Sequence, residues 1–281
     1  MLQDIRQDAD SVCIQTSRGA FGARLLIGAD GAHSCVRSLT FPGCAPQYAF
    51  GIEAKFHWRT DAPIPAVATN HALFDFGATP NGYGWIFPKR DHFNVGIYRV
   101  RKVRRDNSLR QALRDFERLC SILHGCTASA RVGHPIPISN GTQPVERGRV
   151  ILIGDAAGLG ESFFGEGIAF AFKSAVIAAE WATAALRSTN GEASGSFRAA
   201  LDPLIVELRH SFIAARALYE LPTSWLDRMA ALPVTQDAVL ALLQGNAGYR
   251  QILWRLVREM PAALVRPGRR VDEGSPFFSA E

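Results

Sequence analysis

The stretch Arg149–Ala171 (RVILIGDAAGLGESFFGEGIAFA) runs through Val, Ile and Leu, stops on Gly154-Asp155-Ala156, and reopens on Gly165-Glu166-Gly167-Ile168. Ligands of open α/β sheets bind beyond the carboxyl ends of the strands. Asp155 at such an end is placed to accept hydrogen bonds from ligand hydroxyls, and the flanking glycines let a ligand approach the backbone. Gly165, Glu166, Gly167 and Ile168 open a helix, whose first N–H groups have no partner within it. Negative charge is favoured there by about 0.3–1 kcal/mol at the surface and up to ~2 kcal/mol when partly buried. A second pair, Asp30-Gly31, ends another apolar run in GADGAHSCVR (Gly28–Arg37), which closes on the cation Arg37. Carboxylates for hydroxyls, with amides for an anion, suit a sugar–phosphate ligand.

These ends need a shared sheet. Arg149–Ile153 reads as a strand covered on both faces, since it does not alternate, and Leu25–Ile27 as the end of a more buried strand. Ser11–Ser17 does alternate, turns at Arg18-Gly19 and continues into Phe21–Ile27, which predicts a hairpin whose second arm enters the sheet. Nothing upstream reads as a further neighbour for it. From Phe41 to Ile138 short runs are separated by Pro, Gly and Asn. Ala49–Trp58, His71–Gly77, Gly82–Lys89 and Phe93–Val100 read as antiparallel strands, and Gly133–Ser139 as an extended return. Asn107 or Ser108 caps one helix, with Leu109, Ala112, Phe116, Leu119 and Leu123 as its apolar stripe. A helix over Gly167–Leu186, buried on most sides, leads through a flexible Arg187–Ser196 to helices at about Phe197–Leu221, Gln236–Gln244 and Gly248–Val265. The tail reads as irregular.

A chain of 281 residues can bury a real core in one large or two smaller domains. Its 47% hydrophobic and 20% charged content is that of a soluble globular protein. The net charge of +5 is modest. The Arg-rich stretches Val100–Arg105 and Arg266–Arg270 lack interleaved aromatics and read as solvated surface, which argues against a nucleic-acid partner. Five scattered cysteines (Cys13, Cys35, Cys44, Cys120 and Cys126) form no C-x-x-C pair. They argue against a disulfide scaffold and for a reducing cytoplasm. MLQDIRQDAD lacks the apolar core of a signal peptide. The longest apolar stretch is broken by Lys173 and Glu180, so no charge-free membrane span is read, and peripheral membrane contact stays open. His33, His57, His92 and His134 show no ligand spacing, so no metal is expected. No obligate protein partner is evident.

The motifs also carry a likeness. GADGAHSCVR resembles the Asp-Gly motif of flavoproteins with the p-hydroxybenzoate-hydroxylase type of fold. Arg149–Glu180 resembles the Gly-Asp motif of that superfamily, and its Gly-Glu-Gly-Ile ending is most similar to the geranylgeranyl-reductase branch. Tyr83–Tyr98 (YGWIFPKRDHFNVGIY) resembles that branch's Tyr-x-Trp-x-Phe-Pro…Gly-x-Gly signature. The resemblance covers roughly Ser11–Leu186. It implies an α/β (α+β) fold: an incomplete FAD-binding, three-layer Rossmann-like domain, an inserted antiparallel β-sheet substrate domain and a helical C-terminus. The implied boundaries are 1–40 and 140–190 for the FAD-binding domain, 41–139 for the substrate domain and 191–281 for the helical region. It further implies that Gly154, Asp155 and Ala156 hold the ribityl and pyrophosphate region of FAD. Gly165, Glu166, Gly167 and Ile168 would offer backbone near the flavin, and Asp30, Gly31 and Arg37 would support the pyrophosphate end. Tyr83, Trp85, Phe87 and Pro88 would line an apolar channel for an isoprenoid, whose burial contributes ~25 cal/mol per Å².

The implied reaction is hydride delivery from reduced flavin to an isoprenoid double bond, with NAD(P)H or another reductant as electron donor. Tyr83, then Glu166, is the candidate proton donor. A flavin monooxygenase or halogenase of the same superfamily is the alternative within enzymes. An inactive truncated fragment unable to hold FAD is the alternative outside them.

Three departures stand out. Ser162 occupies the motif's usual Pro position, so the turn loses a rigid element. Tyr98 replaces the last Gly of Gly-x-Gly and would narrow or redirect the channel. No G-x-G-x-x-G turn precedes Asp30, so the resemblance implies that roughly the first hundred residues of a typical member are missing, which would leave Leu25–Ile27 and Arg149–Ile153 without a shared neighbour. Plainer readings stand beside each role. Asp155 alone suits a helix cap, Asp30 with Ser34 a turn and cap, Glu166 a first-turn acid, and Tyr83, Trp85 and Phe87 a packed strand face.

Overall fold

Alternating residues open the chain as a three-stranded antiparallel meander of β1 (Leu2–Gln7), β2 (Val12–Thr16) and β3 (Gly19–Ala23). The computed structural model describes residues 1–58, 72–100, 108–121, 123, 125–187, 195–221, 223–230, 232–265 and 278–280. Two expectations change here. The predicted second hairpin arm splits, because β3 (GAFGA) is exposed throughout and buries nothing, while β4 (Leu26–Gly28) joins a different sheet. β1 gives the hairpin an upstream partner by pairing with β2, but it does not join the sheet of β4. A register shift between Leu2 and Asp4 breaks its alternation and hid it from a period-of-two reading. A short helix, α1 (Cys35–Thr40), follows β4.

The middle of the chain carries β5 (Gln47–Trp58), β6 (Ala72–Asp75), β7 (Gly82–Pro88), β8 (Phe93–Val100), α2 (Ser108–Cys120), β9 (Cys126–Ala128) and β10 (Val132–Ile138). Its sheet has the order β10-β5-β8-β7-β6-β13, where β13 is Phe278–Ala280, and β9 pairs with β5. Side chains alternate between two faces. Ile52, Ala54, Phe56, Ile86, Val95 and Ile97 pack with Ala112, Phe116 and Leu119 of α2, the stripe the sequence outlined. Each such buried apolar side chain contributes about 1.5–3 kcal/mol.

The chain then forms β11 (Glu146–Arg147), β12 (Val150–Leu152), a single 3-10 turn (Gly154–Ala157), α3 (Ile168–Arg187) and α4 (Phe197–Tyr219). Three further helices follow: α5 (Thr223–Ala230), which the sequence did not signal, α6 (Pro233–Leu243) and α7 (Tyr249–Val265). β12 runs parallel to β4 with Val150 opposite Leu26 and Leu152 opposite Gly28. The two strands expected to lack a shared neighbour are thus neighbours of each other. Val150, Ile151 and Leu152 are fully buried, with Phe170, Leu201 and Leu208 in the same core.

Contacts divide the chain into one unit of Met1–Tyr48 with Ile136–Phe212 and another of Ala49–Pro135 with Ile213–Glu281. Most of α4 therefore belongs with the first unit rather than with a separate C-terminal helical region. α3 is also less buried than expected. It buries Phe170, Ser174, Ala178 and Ala182 along one face and leaves Ile168, Phe172 and Val176 exposed. Phe170 and the small residues Ser174, Ala178 and Ala182 make the close contact, with Ile177 and Trp181 packed beside the core. By length and composition alone α3 could cross a membrane. His71, Asn107, residues 101–105 and 266–277 and most of the 187–196 connection lie outside the described residues.

Candidate functional site

The turn after β12 begins at Gly154, whose φ of +52° is one that L side chains rarely adopt. A Cβ there would lie 3.1 Å from that of Ala171, so this glycine lets α3 pack tightly on the turn. The Gly154 N–H donates to Ser174 Oγ at 3.0 Å, tying strand end to helix. Gly158, also at positive φ, closes the turn by donating to the Asp155 carbonyl. Asp155 itself is half-buried. Burial raises its pKa above the ordinary carboxyl value, and the Arg37 charge opposes that rise. Its carboxylate accepts no hydrogen bond from any described residue. A Cβ on Gly167 would sit 3.4 Å from Asp155 Oδ1, so the glycine leaves the carboxylate uncrowded at the entrance to α3. A partly desolvated carboxylate with all its acceptor capacity left suits ligand hydroxyls, because buried polar groups seek partners. The ribityl and ribose hydroxyls of FAD meet that requirement.

Asp30 does other work. Its carboxylate accepts from Ser34 Oγ, from Cys35 N at 2.7 Å and from Val36 N at 3.1 Å. Ser34 Oγ in turn accepts from Arg37 N at 2.8 Å. Asp30 and Ser34 together cap α1, the plainer of the two readings. Gly31 has φ of +78° with open space where a Cβ would point. Arg37 is buried, and its guanidinium joins the two motifs. Nη1 donates to the carbonyls of Asp155 (3.1 Å) and Ala156 (2.9 Å), and Nη2 donates to the Ala32 carbonyl (2.8 Å) and Tyr48 Oη (3.2 Å). Arg37 is a brace for the Asp155 turn, and four of its donor bonds are already made. A cavity of about 240 Å³ opens beside it, lined by Arg37, Cys44, Pro46, Asn140, Gln143 and Ala157. Its volume suits a small group, not a dinucleotide.

The loop from Leu159 to Gly167 departs from the motif and repairs the departure. Ser162 stands in place of Pro, and its N–H, which proline lacks, donates to Ser211 Oγ at 2.9 Å. Its own Oγ donates to the Ser139 carbonyl at 2.9 Å. Glu161, almost fully buried, accepts from the N–H groups of Phe163 and Phe164 and from Ser211 Oγ. The rigidity expected to be lost at Ser162 is supplied by side-chain hydrogen bonds. Sequence spacing gave no sign of Glu161, since its partner Ser211 lies on α4.

In the second unit, Tyr83, Trp85 and Phe87 share one face of β7. Ring centroids lie 5.9 Å apart for Tyr83–Trp85 and 6.1 Å for Trp85–Phe87. Phe74 and Phe76 adjoin them. Trp85 lies over Gly96, its cross-strand partner: a Cβ there would fall 2.1 Å from the indole. The indole Nε1 donates to Asn94 Oδ1 at 2.6 Å, and Asn94 Nδ2 donates to Glu53 at 3.1 Å. Tyr98 faces Tyr83 across the ladder with centroids 5.5 Å apart and is 1% exposed. Where the signature has glycine, this protein packs a ring against Tyr83. Tyr83 is itself buried.

Residues 3–196 match the family model described as FAD binding domain. The chain is 31% identical over 222 residues to an uncharacterized protein of Methanosarcina barkeri, an alignment covering 79% of this chain and 55% of that one. It is 36% identical over 174 residues to geranylgeranyl diphosphate reductase of Synechocystis sp., covering 60% and 40%. The matched part is thus about half, or less, of the length of these relatives. A geranylgeranyl bacteriochlorophyll reductase-like protein of Thermoplasma acidophilum superposes with a TM-score of 0.66 at 17% identity, covering 94% of this chain and 67% of that one. Anhydrotetracycline hydroxylase of Streptomyces rimosus superposes with a TM-score of 0.53 at 20% identity, covering 83% and 49%. At these identities the structural likeness is one of fold.

Proposed function

The chain belongs to the FAD-binding domain family, and from that premise we propose that it serves as an FAD-dependent oxidoreductase that saturates carbon–carbon double bonds of an isoprenoid. The observation that carries the cofactor half is Asp155, half-buried with unspent acceptor capacity beside Gly167 at the entrance to α3. In this reading Asp155 takes hydrogen bonds from the sugar hydroxyls. Gly165, Gly167 and Ile168 offer backbone N–H groups to the electron-rich edge of the ring, where charge stabilisation is worth most. Arg37 fixes the turn that presents Asp155. Bound FAD, reduced by NAD(P)H or another donor, would supply the hydride.

The substrate half rests on the aromatic face and on relatives that include a geranylgeranyl diphosphate reductase. Tyr83, Trp85, Phe87 and Pro88 would form an apolar wall that excludes water and gains by burying a prenyl chain. The burial of Tyr83 among aromatic rings favours a wall over a proton donor. A cytoplasmic location with contact to a membrane surface accords with a lipid substrate.

Tyr98 favours one second reading. A ring where the reductase signature has glycine suits a shorter, flatter substrate, as for a monooxygenase or halogenase. Anaerobic turnover with chemically reduced FAD and geranylgeranyl diphosphate separates the readings. A product heavier by two hydrogens per double bond, formed without oxygen, is the expected result. Oxygen-dependent hydroxylation, or no turnover by protein shown to hold FAD, would overturn the reductase reading.

A further inference from the structure

We infer that the turn between β7 and β8, with the facing end of β5, forms a binding site for one divalent transition-metal ion of the zinc type, ligated by His57, His92 and Asp91. The register that pairs Phe56 with Phe93 sets His57 opposite His92 one step further along. Directly opposed residues project to the same face with Cβ atoms about 4.5–5.5 Å apart. The two imidazole centroids lie 5.3 Å apart, inclined by 39°. Asp91 Oδ1 lies 2.8 Å from His92 Nδ1. One ligand atom from each of the three residues lies within 4.8 Å of the others.

Zinc bonds to imidazole and carboxylate are about 2.0–2.2 Å, so tetrahedral ligand atoms stand roughly 3.3 Å apart. Closing from 4.8 Å needs only side-chain rotation. His57 and Asp91 are exposed, so rotation costs little. The backbone beneath is fixed. Arg90 and Asp91 form the turn, Lys89 N–H donates to the His92 carbonyl at 2.8 Å, and the Trp58 and Phe93 rings pack at 5.1 Å. Two imidazoles and one carboxylate select Zn²⁺, Ni²⁺ or Cu²⁺ over Mg²⁺ or Ca²⁺, which require more oxygen ligands. Water would complete the coordination. The ion would bolt the β7–β8 turn to β5. Chain spacing hides this site because β6 and β7 separate the two histidines, and only the register joins them.

Calorimetric titration of ZnCl₂ into tag-free, chelator-stripped protein tests the inference. One equivalent of Zn²⁺ should bind per chain, with at least tenfold weaker binding in both His57→Ala and His92→Ala, no change in His134→Ala, and no saturable heat from MgCl₂. His57→Gln and His92→Gln give the same reading should an alanine variant lose its circular dichroism. Absence of saturable zinc binding, or wild-type binding in either histidine variant, would overturn it.

Discussion

Replacing Arg37 with methionine should destabilise the first unit by about 3–5 kcal/mol, because methionine keeps the apolar stem and removes every donor. Four hydrogen bonds disappear, to the carbonyls of Asp155, Ala156 and Ala32 and to Tyr48 Oη. Bonds from a charged group contribute about 1.5–3 kcal/mol each, and an orphaned buried acceptor costs about 1–3 kcal/mol. The sum overshoots, since neighbouring terms are not additive and the buried charge is no longer desolvated. Urea unfolding followed by circular dichroism should show the loss as a lower midpoint at unchanged slope. Arg37→Lys should restore little, since a point charge cannot fork across three carbonyls. Arg37 also opposes the upward shift that burial gives Asp155, so the variant should raise the Asp155 carboxyl further. A loss below about 1 kcal/mol would refute the idea that Arg37 braces the Asp155 turn.

Gly96→Ala should cost about 1–3 kcal/mol from overpacking and shift tryptophan fluorescence. Its Cβ would meet Trp85 at 2.1 Å and the Ile52 carbonyl at 2.6 Å, and that backbone oxygen cannot swing away. Asp155→Asn should make the flavin-free protein more stable than wild type at pH 7. Burial raises the folded carboxyl above its ordinary 3.8, so its contribution is present at low pH and lost as pH rises through the raised value. The two proteins should converge at about pH 3, and equal stability at pH 7 would count against it. Cys120, pushed up to about 12 by burial, should react with a disulfide reagent at pH 8 far more slowly than the exposed Cys13 and Cys44. Uniform labelling would contradict that order.

What was legible in the sequence was local and periodic. The α2 stripe, the unalternating β12, and the strand end at Asp155 all announce themselves within a few residues, because burial imposes period and composition. Gly154 read correctly as a position of close approach, though what approaches it is Ala171 of α3. Long-range pairings were not legible. β1 lost its period to a bulge, β4 read as a strand but not as the parallel neighbour of β12, and Glu161 needed Ser211 on α4. Arg37 looked like a ligand for phosphate, since a free cation and a carbonyl staple have the same letter in the chain. Tyr98 showed as a departure, but its packing on Tyr83 follows only from the register of β7 with β8.

Fluorescence titration of FAD into the wild-type protein and Asp155→Asn, side by side, goes straight to whether this strand end holds a flavin dinucleotide. Loss of charge-assisted hydrogen bonds worth about 1.5–3 kcal/mol predicts one saturable site in the wild type, weakened at least ~10-fold by the substitution. A wild-type protein that leaves flavin fluorescence untouched, or a variant that binds as tightly, would contradict the account.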